Sequence, residues 1–84
     1  MYQVILPKQV EKDLKKLDKV YLAKVSKCLD LLGSNPFLGE KMAGVFQGSY
    51  RIKIPLLRII CTPDLKSKII WIRAIGFRGG IYRK

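Results

Sequence analysis

Tyr50-Arg51-Ile52-Lys53-Ile54-Pro55-Leu56-Leu57-Arg58 alternates large apolar and cationic side chains and then meets a proline. Alternation with period two is the pattern of a strand with one dry and one wet face. Tyr50, Ile52 and Ile54 then point inward, and Arg51 and Lys53 point out. With a turn at Pro55-Leu56, the residue facing Lys53 on the returning strand is Arg58. Like charges opposed across a strand pair are destabilising, so three cations gathered on one patch of sheet suggest a bound anion.

Working outward, Arg58 to Thr62 continues the second strand and Pro63-Asp64-Leu65-Lys66-Ser67 reads as a turn. Lys68 to Ile75 is the most β-prone run, which Gly76 ends or bends. A register that keeps Arg73 out of the core puts Trp71 and Arg73 on the cationic face. Trp71 fits sheet packing better than base stacking, the other use open to it.

Upstream, Tyr2 to Leu6 is a short β-prone run stopped by Pro7, a residue suited to the first turn of a helix. Val10, Leu14 and Leu17 recur at helical spacing from Lys8 to Leu17. Asp18 is a natural N-cap for a second helix that buries Tyr21, Val25, Cys28, Leu29 and Leu32 and ends at Gly33. The short link between the helices predicts an antiparallel hairpin. Phe37 to Ser49 reads as an ordered but irregular connection anchored by Leu38, Met42, Val45 and Phe46. The expected fold is α+β: an N-terminal strand, a two-helix hairpin and a three-stranded antiparallel meander. The helices then cover one face of a four-stranded sheet.

Eighty-four residues suit a single domain with a thin core. The 17 basic residues against 6 acidic ones give a net charge of +11. Such an excess predicts affinity for polyanions, nucleic acid first and an anionic membrane surface second. All arginines lie in residues 51–84, where nine cations face only Asp64. Arginine's flat fork suits phosphate and base stacking, whereas the lysines of the first half read as solubilising helix surface.

Cys28 and Cys61 are too few and too far apart for a zinc site or a disulfide framework and read as small reduced core residues. The start Met1 to Pro7 lacks the basic and apolar regions of a signal peptide. No run approaches the roughly 18 apolar residues of a membrane span. The expected location is the cytoplasm. With no histidine and with acids scattered at Glu11, Asp13, Asp18, Asp30, Glu40 and Asp64, a metal site, a two-metal nuclease and a histidine-based nuclease are disfavoured. A serine hydrolase would lack its base. Arg78-Gly79-Gly80 is too short for a phosphate-binding glycine loop and no helix pattern follows it. A cationic face with tyrosines nearby remains. It can grip a phosphodiester, stabilise charge building on it during 2′-hydroxyl attack, and move protons through Arg, Lys or Tyr. It can equally be a solvated face that keeps a small domain soluble. Tyr50 leans to a structural role, Tyr82 less so.

The order of strand, helix hairpin and glycine-containing loop, followed by Tyr50-Arg51-Ile52-Lys53, Leu57-Arg58-Ile59-Ile60, Ile75-Gly76-Phe77-Arg78 and Ile81-Tyr82, resembles the RelE/ParE superfamily of toxins from toxin–antitoxin systems. The resemblance runs over essentially the whole chain. Each motif is short, and their joint order carries the specificity. In the RelE branch it implies a metal-independent, cofactor-free endoribonuclease that cuts ribosome-bound messenger RNA by 2′-hydroxyl attack and is held by a cognate antitoxin. The implied catalytic set is Arg51, Lys53, Arg58, Arg78 and Tyr82. Arg51 and Lys53 would help activate the hydroxyl, Arg58 and Arg78 would hold phosphate, and Tyr82 would stack on a base or transfer a proton. Lys68, Trp71, Arg73, Arg83 and Lys84 would extend the RNA contact. Phe77 stands where many relatives carry histidine or another polar residue, which removes a base from that position. Gly79-Gly80 makes the last segment pliable, and no family element is expected after Tyr82. The ParE branch shares the fold, is associated with DNA gyrase inhibition and does not depend on this basic set. A gyrase-directed inhibitor and a non-catalytic RNA-binding module are therefore the rival readings.

Overall fold

The computed structural model describes residues 1–77, so Arg78, Tyr82, Arg83 and Lys84 lie outside the described residues. Strands Gln3–Ile5 (β1), Glu40–Lys41 (β2), Tyr50–Ile54 (β3), Leu57–Asp64 (β4) and Ile69–Phe77 (β5) form one sheet in the order β1-β5-β4-β3-β2. Helices Lys8–Lys15 (α1) and Lys19–Ser34 (α2) follow β1. Only β1 runs parallel to its neighbour, β5. The other pairings are antiparallel.

Alternation in the 50–58 stretch is realised as the β3–β4 hairpin, with Lys53 opposite Arg58 and Ile54 opposite Leu57. Pro55 presets the turn, and Leu56 takes φ 67, a left-handed conformation that strains a residue with a Cβ. Ile52, Ile54, Leu57, Ile59, Cys61, Ile70, Ile72 and Ile75 all turn to the helix side. There they meet Val10 of α1 and Val25 and Leu32 of α2 in one buried cluster. Each such aliphatic contributes about 1.5–3 kcal/mol when buried. Leu14, Leu17, Tyr21, Cys28 and Leu29 pack at its margin.

Alternation alone would put Ile75 on the same side as Arg73, yet Ile75 is buried. A bulge resolves this: Ile60 pairs with Ala74 but Cys61 with Ile72, so Arg73 is the extra residue in β5. The bulge resets the phase, and Ile72 and Ile75 both reach the core. It also puts Phe77 on the helix side opposite Leu57, where it packs edge-on against Tyr21 with ring centroids 5.5 Å apart.

Three elements differ from the sequence expectation. The Asp18 side chain caps α2 by accepting from the Tyr21 N–H at 3.1 Å, as expected, but Gly33 does not end the helix. Its carbonyl accepts from the Tyr2 N–H at 2.8 Å, and a Cβ there would sit 3.3 Å from the Tyr2 carbonyl oxygen, so this glycine admits β1 rather than reversing the chain. The sheet has five strands, not four, because Glu40–Lys41 inside the presumed irregular connection pairs with Arg51 and Tyr50. The turn after β4 starts later, since Pro63 and Asp64 still pair with Ile70 and Ile69. Asp64 closes it by accepting from the Lys66 and Ser67 N–H groups. No helix among the described residues is long and apolar enough to cross a membrane.

Gly39 is required by the additional strand, β2. A Cβ on it would lie 2.5 Å from the Arg51 carbonyl oxygen, a backbone atom that cannot swing away. Gly39→Ala is expected to lose about 1–3 kcal/mol, as overpacking does, read as a lower midpoint in thermal or urea unfolding. The thiols give a second measurement. Burial pushes Cys61 up to about 11, while Cys28, only partly buried, is raised by burial and eased down by Lys27. Iodoacetamide at pH 8 should therefore modify Cys28 first and reach Cys61 only when the chain unfolds, as peptide mapping would reveal.

Candidate nucleic-acid interface

The face of the sheet away from the helices carries Arg51 and Lys53 from β3, Arg58 and Thr62 from β4, and Trp71 and Arg73 from β5. Lys53 and Arg58 are direct cross-strand partners. Their repulsion is relieved because each side chain leans to a different neighbour. Arg58 turns back on its own hairpin and donates from Nη1 to the carbonyls of Leu57 at 3.0 Å and Ile54 at 3.3 Å. It thereby braces the turn that Leu56 strains, and its Nε and Nη2 take no part in those two bonds. Opposite it on β5 stands Gly76, with no side chain to crowd the guanidinium.

Lys53 leans the other way, to a residue not counted among the site positions. Its Nζ lies 3.0 Å from Oε1 of Glu40, while Nη2 of Arg51 lies 3.3 Å from Oε2 of the same carboxylate. These hydrogen bonds, Lys53 first and Arg51 second, hold the Glu40 carboxyl below the ordinary glutamate value. All three side chains remain partly solvent-exposed, and exposed pairs of this kind contribute little to stability. The sequence signal for Glu40 was a lone acid between Gly39 and Gly48, ahead of a strand with two cations. Opposite charges commonly pair across neighbouring strands, but the short β2 leaves no alternation to show which residue would do so.

A second group lies beside the first. Nε of Arg73 donates to Oγ1 of Thr62 at 3.2 Å, and that oxygen shares a 2.8 Å hydrogen bond with Ser49 Oγ. The Arg73 guanidinium also stands over the Trp71 ring, 6.0 Å from its centroid, so the indole is already partnered. Lys68 is not gathered into either group. It closes the turn before β5 with φ 56, and the seven steps from Ile69 to Gly76 span roughly 23 Å of strand. Tyr50 faces the helices and packs against Phe37, and Phe77 is likewise on the helix side. An open groove of about 360 Å³ adjoins the first group, walled by Cys28, Leu31 and Leu38 and rimmed by Glu40, Arg51 and Lys53. Among the described residues no three acidic or cysteine side chains come together as a metal site would need.

A basic α+β domain whose sheet carries arginine and lysine on one face and is backed by two helices on the other defines the class. The family model described as the ParE toxin of type II toxin–antitoxin systems, parDE, matches residues 4–82, and the chain belongs to this family of the RelE/ParE superfamily. The archaeal RelE–RelB complex from Pyrococcus horikoshii is similar at 30% identity and a TM-score of 0.80, over 94% of this chain and 97% of that one. The RelBE2 toxin–antitoxin complex of Mycobacterium tuberculosis matches in fold at 22% identity and a TM-score of 0.82, over 92% and 98% of the two chains. The YoeB–YefM complex of Staphylococcus aureus does so at 20% identity and a TM-score of 0.75, over 93% and 98%. No curated protein matches the sequence significantly.

The Glu40 ion pairs can be titrated. A carboxyl with a lowered folded value adds stability above the ordinary glutamate pKa, and the contribution is lost as pH falls through the lowered value. Carbon-detected NMR titration should show Glu40 titrating below ordinary glutamate, moving up in Lys53→Ala and, by less, in Arg51→Ala.

Proposed function

We infer that this toxin is a metal-independent endoribonuclease acting on ribosome-bound messenger RNA and restrained by a cognate protein antitoxin. The observation that carries the reading is the convergence of Arg51, Lys53 and Arg58 on one exposed patch of sheet, two of them held in defined positions by a carboxylate and the third by backbone carbonyls. The similar structures are two-protein complexes, the RelBE2 one of Mycobacterium tuberculosis a toxin–antitoxin complex, which supports a protein partner here. An antitoxin would offset the positive face with acids.

In the reaction proposed, the ribose 2′-oxygen attacks the adjacent phosphorus and the bond to the 5′-oxygen breaks. One fragment keeps a 2′,3′-cyclic phosphate and the other a 5′-hydroxyl. The attacking hydroxyl loses a proton and the leaving oxygen gains one. Arg58, with Arg78, would hold the phosphate as its charge rises, a task that fixed cationic donors perform well. Lys53 and Arg51 would favour the deprotonated nucleophile, and Tyr82 would stack on the base or supply a proton. Trp71 and Arg73 would extend the contact along the strand, with Lys68, Arg83 and Lys84 as more distant phosphate contacts.

Translating ribosomes incubated with the protein in EDTA, followed by mapping of messenger 5′ ends, test this. Codon-phased cuts are expected in wild type, reduced on the order of a hundredfold in Arg58→Ala and in Arg78→Ala, with melting curves separating lost chemistry from a loosened hairpin. The family description as ParE favours one other reading, a gyrase-directed toxin. Intact message together with gyrase-dependent DNA breaks would establish that one instead. Salt-sensitive RNA binding without cleavage would leave a binding module.

A further inference from the structure

Both salt bridges among the described residues end on Glu40. Its Oε2 meets Arg51 and its Oε1 meets Lys53, so one carboxylate spans two cations with its two oxygens. The two non-bridging oxygens of a phosphodiester could span the same pair. Backbone pairing of Glu40 with Arg51 sets the carboxylate's place, and Gly39 permits the approach because any Cβ would strike the Arg51 backbone. Yet the Glu40 side chain is 56% exposed, so water competes for it and the hold is weak.

We propose that Arg51 and Lys53 form an anion seat occupied in the free protein by Glu40, and that RNA phosphate binds there by displacing this carboxylate. Glu40 is thus an internal competitor and a specificity-determining residue. It masks the seat against isolated small anions, which bring no other contacts. A polyanion, which can engage neighbouring cations such as Arg58 and Arg73 at the same time, overcomes it. It also keeps the two cations near each other while no ligand is bound. The inference rests on the phosphate-binding role given to Arg51 and Lys53 above, but not on cleavage.

The test is equilibrium binding of an uncleavable 2′-O-methyl oligoribonucleotide across a salt series, by wild type, Glu40→Gln, the Arg51→Ala/Lys53→Ala pair and all three changes together. Glu40→Gln is expected to bind about two- to fivefold more tightly at low salt, in keeping with the modest strength of exposed pairs. Its log K against log salt slope should steepen by about 0.7, the value for one further single-strand phosphate neutralised. In the Arg51→Ala/Lys53→Ala background the glutamine should change nothing. Glu40→Ala, checked by its melting curve, should act like the glutamine and so exclude an effect of the amide. Unchanged or weaker binding by a folded Glu40→Gln, with the double variant still impaired, overturns this inference alone. A double variant that binds as well as wild type overturns the phosphate assignment and this inference together. Absence of codon-phased cleavage, by contrast, bears on the nuclease reading and leaves the binding comparison intact.

Discussion

Lys53 and Arg58 face each other across the β3–β4 hairpin, and the polar side of the sheet is arranged around that repulsion. Neither cation can turn inward, because the alternate positions hold Ile52, Ile54, Leu57 and Ile59, all buried. A one-residue slip would relieve the like-charge contact but exchange the two faces of the strand, placing cations among the aliphatic side chains. Burial therefore outweighs repulsion and fixes the register, and local contacts must take up the remaining charge. Arg58 uses the carbonyls of its own turn, while Lys53 uses a carboxylate delivered by a strand only two residues long. The same two contacts hold the cations apart at set positions, so the constraint that shapes the sheet also shapes the site.

How much of this was legible in the sequence depends on how far each element speaks for itself. Alternation over residues 50–54 and the proline of the turn predicted the hairpin and its Lys53–Arg58 pairing. Asp18 marked the start of α2, because an N-cap is a contact between residues three apart. Apart from the turn after β4, which is local, the misses needed partners distant in sequence or position in the sheet. Gly33 reads as a helix stop, and only the approach of β1 shows that it is a contact point. The Arg73 bulge is invisible in β5 taken alone, because it is the requirement to bury both Ile72 and Ile75 that shifts the register. Glu40 escaped notice for the same reason. It carries no periodicity, and its meaning comes from the strand ten residues on.

The family supplies a scaffold on which chemistry is chosen by a few side chains. Here Phe77, at the end of β5, packs edge-on against Tyr21 on the helix side. The bulge at Arg73 sets that orientation, so the packing of the core and the chemical inventory of the exposed face are linked through one irregularity in β5. With no histidine in the chain, the one carboxyl among the cations of this face is Glu40, held below the ordinary glutamate value by Lys53 and Arg51.

For the nuclease reading proposed above, that inventory favours a mechanism in which holding charge matters more than moving protons. Arginine and lysine stay charged at neutral pH, so they can stabilise a phosphate whose negative charge grows during attack without first titrating. A fixed cationic face has an opposite weakness, since it binds every polyanion and repels itself in the free protein. Placing one acid among the cations moderates both effects. The two-residue strand that carries Glu40 is then a tuning element for the sheet's charge: long enough to set one carboxylate against Arg51, and short enough to leave that carboxylate in water, where a stronger anion can replace it.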